Sequence, residues 1–466
     1  MRLFNAAIRV SPIAGSIPKQ TLAAIVAAFI AGAFAPPAAA LDPGEDGVRV
    51  TIPVSGLTDA AQGVAVDPDG NLVLAGSDAG GHSILASITR TGALNGAFGT
   101  GGIAVHDLAT NQGDGLRAIT RMGDGRDVAC GLAFSPGTAT DFVTARFMVD
   151  GSLDGTFDGV GYAITSYLQS GPGGSLYDQC NAVAADSDGS VVSAGLSYQD
   201  GPSRVALARH TASGTLDAGF AGGGKIVIDA SQSSNSNSEA RAVLIQPDGR
   251  ILVAGFAGGQ FNSEFLLMRL EANGTPDASF GTLGIVRTPI GTGEDVANAM
   301  VLAPDGSITL AGSSVASDGR RDFALARFTS AGVLDATFGT GGIVTTPIGP
   351  ADDVAYALTL MPWGRLVAAG YARISTSASG TDLALAAYNA DGTLDRYFGS
   401  LGVRTVAVSA TGNADDIAYG LANDIDGEHF WAVGTATPGS NGDFLAIEFG
   451  LPDTIFRHGF DSNSAP

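Results

Sequence analysis

The chain has 466 residues, 67 glycines and a formal net charge of −22. A surface that acidic repels phosphate backbones, which argues against nucleic acid as a partner. Length alone would suggest about three domains, but internal repetition replaces that estimate, and no long helical periodicity follows residue 40.

Met1–Ala40 stands apart from the rest. Arg2, Arg9 and Lys19 lead into an apolar run from Thr21 to Ala35, and Ala38 and Ala40 offer a small-residue cleavage site. A positive n-region, an apolar h-region and an A-x-A site read as a secretory signal cut after Ala40. The run of 15 residues falls short of the roughly 20 that cross a bilayer, so no membrane span is expected in the mature chain. Three positive charges and no negative one leave with the signal, taking the net charge from −22 to −25, with Lys225 the one lysine left. The expected location is outside the cell, at its surface or in the periplasm.

Beyond the signal, four short strand-like runs separated by turn residues recur. Ala297–Ile348 displays the unit. Its first run, ANAMVLA (Ala297–Ala303), has alanine at alternate places, which suits an innermost strand crowded against an axis. Pro304–Gly306 follows, as do Pro68–Gly70 and Pro247–Gly249 elsewhere; Asp-Gly supplies the positive φ of a tight hairpin. The second run is almost wholly apolar, like LVLAG (Leu72–Gly76) and ILVAG (Ile251–Gly255), as expected of a strand buried on both faces. DFALARF (Asp322–Phe328) comes third, then GVLDATFGTGG (Gly332–Gly342) turns into a β-branched fourth run.

A glycine after a small residue ends each second run, at Gly76, Gly131, Gly195, Gly255, Gly312, Gly370 and Gly434, with spacings of 55, 64, 60, 57, 58 and 64 residues. Seven copies of a four-strand unit predict an all-β, seven-bladed β-propeller of four-stranded blades. The last copy lacks its fourth run, since DFLAIEF (Asp443–Phe449) passes straight into LPDTIF. GVRVTIPV (Gly47–Val54) reads like GGIVTTPI (Gly341–Ile348), so Val48–Val54 is expected to complete the last blade and close the ring, protecting the sheet edges. One domain over residues 41–450 results, with 451–466 as a C-terminal tail. That tail resembles a short IFxxGF-acidic ending of exported proteobacterial proteins, a sorting or processing signal, and reads equally as an ordinary terminus.

On the PDG, AG, DFALARF and LDxxFGxxG series, from about Val48 to Phe449, the chain resembles the delta-60-repeat family of bacterial β-propeller repeats. The resemblance implies the fold and brings no catalytic residue with it. Repeat one departs in having Asn95 for the Asp of the LD turn, and repeat seven lacks that turn.

The hairpin after the first run and the LDxxFG turn after the third are near-constant, and their places in the unit put them on one face. Connections on the other face vary, as in Gly76–Ser83, Tyr167–Asp178 and Gly370–Asp382. Variable loops on a rigid scaffold are where binding usually resides. On that face, nine residues before the Pro of each hairpin or its equivalent, stand Asp59, Asp114, Asp178, Ser238, Asp295, Asp353 and Asp416. Glu239, Glu294, Asp352 and Asp415 lie beside four of them. One reading is a carboxylate ring at the channel mouth that holds Ca²⁺ or a cationic ligand. The other is that each Asp accepts backbone N–H bonds and fixes the turn entering its strand. Repetition favours the second, because a binding site rarely needs every blade to agree.

Arg146, Arg209, Arg269 and Arg327 share one register and are expected to pair with the turn acids Asp154, Asp217, Asp277 and Asp335. Cys130 and Cys180, the only cysteines, could form a disulfide between neighbouring blades in an oxidising compartment or remain two buried thiols. His82, His106, His210, His429 and His458 have no zinc spacing, and no G-x-S-x-G elbow occurs. Trp363 and Trp431 form no aromatic platform on the variable face. The expected function is an exported, monomeric, non-catalytic recognition or scaffold module. It would bind protein or glycan across the variable face, with Ca²⁺ at the mouth as one option. The alternative is an extracellular polysaccharide hydrolase or lyase that uses rim carboxylates.

Overall fold

The computed structural model describes residues 49–450 except 56–57, 109–112, 136–138, 168–176, 199–200, 232, 234, 260, 376–379, 410–413 and 438–440. The expected signal, Val48, the tail, and the middle of the Tyr167–Asp178 and Gly370–Asp382 loops lie outside the described residues.

Repeat five shows how the unit folds. Its strands Asp295–Leu302, Ile308–Val315, Arg321–Phe328 and Ile343–Thr346 pair antiparallel in that order. Gly306 turns the first hairpin at φ 83°, a left-handed conformation that costs glycine no Cβ clash. The apolar second strand is buried along nearly its whole length, because sheets lie against both of its faces.

Among the described residues the strands form five four-stranded sheets and one eight-stranded sheet. The larger one joins repeats two and three through a single parallel pair, Tyr177 with Thr140. Repeat seven supplies Ile417–Asn423, His429–Ala436 and Asp443–Gly450, and Arg49–Ile52 from the other end of the chain adds to them, Arg49 opposite Ile447 and Ile52 opposite Phe444. The fold is therefore all-β, built from four-stranded antiparallel sheets that resemble propeller blades. Each sheet packs on its neighbour through an apolar cluster, such as Leu252, Phe265 and Phe280 against Ile308 and Leu310. Another joins Ile52, Trp431 and Phe444 to Ala61, Leu72 and Ile84. Each large side chain so buried contributes about 1.5–3 kcal/mol.

The LDxxFG turn is a latch between sheets. Arg269 donates from Nε to Asp277 at 2.7 Å and from Nη1 to the carbonyl of Ser330, in the next repeat, at 2.6 Å. Its guanidinium lies 4.4 Å from the centroid of Phe280, which is fully buried. That ring fills the space over Gly332 of the next repeat, where a Cβ would stand 2.7 Å from Phe280 Cζ. Phe98, Phe157, Phe220 and Phe338 cover Gly151, Gly214, Gly274 and Gly392 in the same way. The Ser279 hydroxyl holds the Asp277 carboxyl down at about 2 against the opposing effect of burial, with further help from Arg269.

All four expected Arg–Asp pairs form, Nε to Oδ2, at 2.7–2.8 Å. Repeat six, which has Ala387 in the arginine register, draws Arg365, just before its second strand, onto Asp395. In repeat one the pair is reduced to a 3.4 Å contact between Asn95 and Ser87.

Candidate functional site

The carboxylates in the first-strand register are buried, from 0 to 4% exposed. Each accepts bonds from its own entering turn. Asp59 takes the N–H groups of Val54 and Ser55 at 3.0 and 2.8 Å. Asp114 takes Leu108 N at 2.6 Å, and Asp178 takes Tyr167 N at 2.9 Å. Asp295 takes Ile290 and Gly291, Asp353 takes Ile348 and Gly349, and Asp416 takes Val408 and Ser409. Ser238 plays the same part with one acceptor, 3.3 Å from Ala230 N. Burial raises the pKa of Asp178 and Asp295 and pushes Asp353 up to about 6. The flanking acids hold the neighbouring sheet: Asp352 accepts from Arg321 N and Asp415 from Thr381 N. Among the described residues no group of three or more His, Cys, Asp or Glu could hold a metal ion.

Three residues after each of these positions the first strand bulges. The ladder skips Gln62, Arg117, Asn181, Arg241, Asn298, Tyr356 and Tyr419. A bulge leaves one residue unpaired and re-aims its side chain. Here every bulged residue is aimed at one place, a cavity of about 330 Å³ lined, among the described residues, by those seven. Opposite each bulge stands the glycine that marks the repeat. A Cβ at Gly312 would stand 1.8 Å from Val296 O, and at Gly370 1.9 Å from Val354 O. The marker glycines are thus the mates of the bulges, a signal from which the cavity lining could have been found in the sequence.

The cavity has the opposite sign to the protein as a whole. Two arginines enter it, and among the described residues no carboxylate lines it. Arg117 reaches Gln62 Oε1 at 3.4 Å. Burial and the like charge of Arg241 lower its pKa. Arg241 donates to Glu239 at 2.8 Å, while its buried Nε has no acceptor. Tyr356 lies with its ring 5.1 Å from Tyr419 and 6.0 Å from Tyr371. Burial lifts Tyr371 and Tyr419 to about 12, so their hydroxyls remain donors at neutral pH. Asn181 and Asn298 spend their amide N–H on Ala240 O and Ala355 O of the next repeat, which fixes both side chains.

Other residues singled out in the sequence lie elsewhere. Cys130 and Cys180 form a disulfide between repeats two and three, with Cα atoms 5.9 Å apart. Cys130 sits within Asp127–Ser135 and Cys180 within Tyr177–Ala185, so the bridge is buried where repeats two and three meet. His82 pairs with Asp78, His429 with Asp426, and His106 with Gly151 O. His210 is buried, which brings it down to about 4; His458 lies outside the described residues. Trp431 is buried and Trp363 is 74% exposed on its hairpin. No helix among the described residues is long and apolar enough to cross a membrane.

Residues 187–220, 246–280, 303–338 and 364–398 match a family described as a domain of unknown function (DUF5122) beta-propeller. No curated protein sequence matches the chain. Similar solved structures include Sqt1 from Chaetomium thermophilum, at 14% identity over 86% of this chain and 97% of that one, with a TM-score of 0.45. YCF48 bound to D1 peptide is 13% identical over 92% and 99% of the two chains, with a TM-score of 0.40. The PQQ-bound aldose sugar dehydrogenase from Streptomyces coelicolor is 12% identical over 88% and 99%, with a TM-score of 0.38. The family match over four of the repeats agrees with the four-stranded sheets described above, and the fold is propeller-like.

Proposed function

We propose that the chain is an exported recognition module, a seven-bladed propeller of the delta-60-repeat type closed by its N-terminal strand. Five four-stranded sheets and an eight-stranded one that divides in two support the count, and the pairing of Arg49–Ile52 with Asp443–Gly450 supports the closure. The module is monomeric and binds protein or glycan on its variable-loop face, with the central cavity as the pocket.

One observation carries this reading. Latch, turn acid and marker glycine recur from repeat to repeat because each has a structural task, whereas the cavity lining is Gln, Arg, Asn, Arg, Asn, Tyr and Tyr. A position that the fold leaves free to vary, yet aims at a common pocket, is one that a ligand can shape. Binding is favoured over hydrolysis or lysis because the register carboxylates are spent on backbone N–H groups and, among the described residues, none lines the cavity. Ca²⁺ has no role in this reading, since two guanidiniums stand where the cation would approach.

The test is an array of defined oligosaccharides and peptides probed with the wild type and with Asn298→Trp, which fills the cavity. Ligands retained by the wild type and lost by the variant support the pocket. Equal retention by both would move binding to the loops. Unfolding with millimolar Ca²⁺ should leave the midpoint unchanged; a rise lost in Asp295→Asn/Asp353→Asn would put a metal at the ring.

A further inference from the structure

We infer that the central cavity takes an acidic saccharide, a sugar ring bearing a carboxylate, with Arg117 and Arg241 on the carboxylate and the amides and tyrosines around the ring. The inference rests on the reading of the cavity as the ligand pocket.

The charge argument comes first. A half-buried guanidinium without a counter-ion is costly, and no carboxylate among the described residues pairs with Arg117, whose nearest bond is the long one to Gln62. Arg241 is half neutralised by Glu239, yet keeps a buried Nε without an acceptor. An incoming carboxylate satisfies both groups, and the guanidinium fork matches its two oxygens. The acidic exterior does not defeat this. Its charges are exposed and screened over about 8 Å at physiological salt, while those in the cavity are closer and less screened.

The remaining groups select what carries the carboxylate. Asn298, which lines the cavity, spends an amide N–H on Ala355 O, so its carbonyl oxygen is the group it keeps to accept from a ligand hydroxyl. The phenols of Tyr356 and Tyr419 add donors, and their tilted rings form an apolar wall for the C–H face of a sugar. Donors for an anion, an acceptor for a hydroxyl and an aromatic wall together describe a uronic-acid type of ring better than phosphate or a bare carboxylate. At about 330 Å³ the space lies at the low end of ligand pockets, roughly 300–1,000 Å³, so it admits one ring with the rest of a chain left outside.

The experiment is calorimetric titration of the purified chain, at physiological salt, with sodium glucuronate, glucose, N-acetylglutamate and inorganic phosphate. Glucuronate should bind saturably, glucose about tenfold more weakly or worse; Arg117→Gln should weaken binding without lowering the thermal midpoint, and Arg117→Gln/Arg241→Gln should abolish it, with a lower midpoint because Glu239 loses Arg241. Glucose binding as tightly as glucuronate, or a double variant that still binds, overturns the charge assignment. N-acetylglutamate equal to glucuronate makes an acidic peptide the ligand, and phosphate equal to it makes the site a general anion hole; either result overturns the saccharide. If no probe binds while the array yields a ligand that Asn298→Trp loses, the pocket stands and the acidic saccharide falls. If the array yields none, both fall.

Discussion

The latch face and the central cavity are built by the same strands, repeat after repeat, and obey opposite rules. At the latch, chemistry is copied: Arg, Asp, Phe and Gly meet in the same geometry, and where repeat six lost its arginine, Arg365 took its place. At the cavity, geometry is copied and chemistry is not. Every first strand bulges at the same point, but the residue it presents is Gln, Arg, Asn or Tyr according to the repeat. Repetition of a side chain therefore marks what holds the sheets together, and repetition of a backbone feature with changing side chains marks what the sheets hold.

The sharpest attack on this contrast is at Phe280. Phe280→Ala opens a void against Gly332 and should cost about 4 kcal/mol in urea unfolding; a loss below about 1 kcal/mol would mean the plug is incidental. Gly312→Ala comes next, at about 3 kcal/mol, because Val296 O occupies the space and the bulge must move. A fully stable Gly312→Ala would separate the marker glycine from the bulge. Arg269→Ala leaves Asp277 buried, a loss usually of about 3–5 kcal/mol. Arg250 stands 3.7 Å from Asp277 and replaces part of the charge, which brings the expectation to about 2 kcal/mol.

A smaller effect comes from the turn acids. Asp353 titrates at about 6 in the folded chain against 3.8 when unperturbed, so the native state binds more protons between those values. Stability should fall as pH rises through that window and level off above it. Asp353→Asn keeps an acceptor oxygen and should flatten its part of that slope, read as the difference in thermal midpoint between wild type and variant from pH 4 to 7. An unchanged slope would show that Asp353 does not titrate there. Smallest of all is Arg117→Gln, which relieves a like-charge contact and should shift stability by less than about 0.5 kcal/mol. A loss as large as that of Arg269→Ala would make the cavity structural.

Much of this was legible in the sequence, because a repeat displays its own rules. Seven glycines set the register, Asp-Gly placed the hairpins, and the spacing of Arg146 and Asp154 foretold their pair. The cavity was not legible in the same way. Strand periodicity assigns faces by alternation, and a bulge breaks alternation by one residue, so Arg117 and Tyr356 looked like ordinary strand positions. The acids at the strand starts repeat conspicuously, but their partners are their own turns. The plug of Phe280 on Gly332 was hidden for another reason: its two halves lie in different repeats, and a motif read within one repeat cannot show a contact across two. Arg365 was nearer to hand, since Gly125-Arg126, Gly249-Arg250 and Gly364-Arg365 share a place in the hairpin.

The central claim, that copied side chains hold the fold and the uncopied ones in the cavity hold a ligand, is tested most directly by one thermal unfolding experiment. Wild type and Arg117→Gln are melted with and without saturating glucuronate. A ligand that binds only the folded state must raise the midpoint. The account predicts equal midpoints without ligand, a rise in the wild type and a smaller one in the variant. A variant that melts well below the wild type without ligand, or that keeps the full rise, would contradict it.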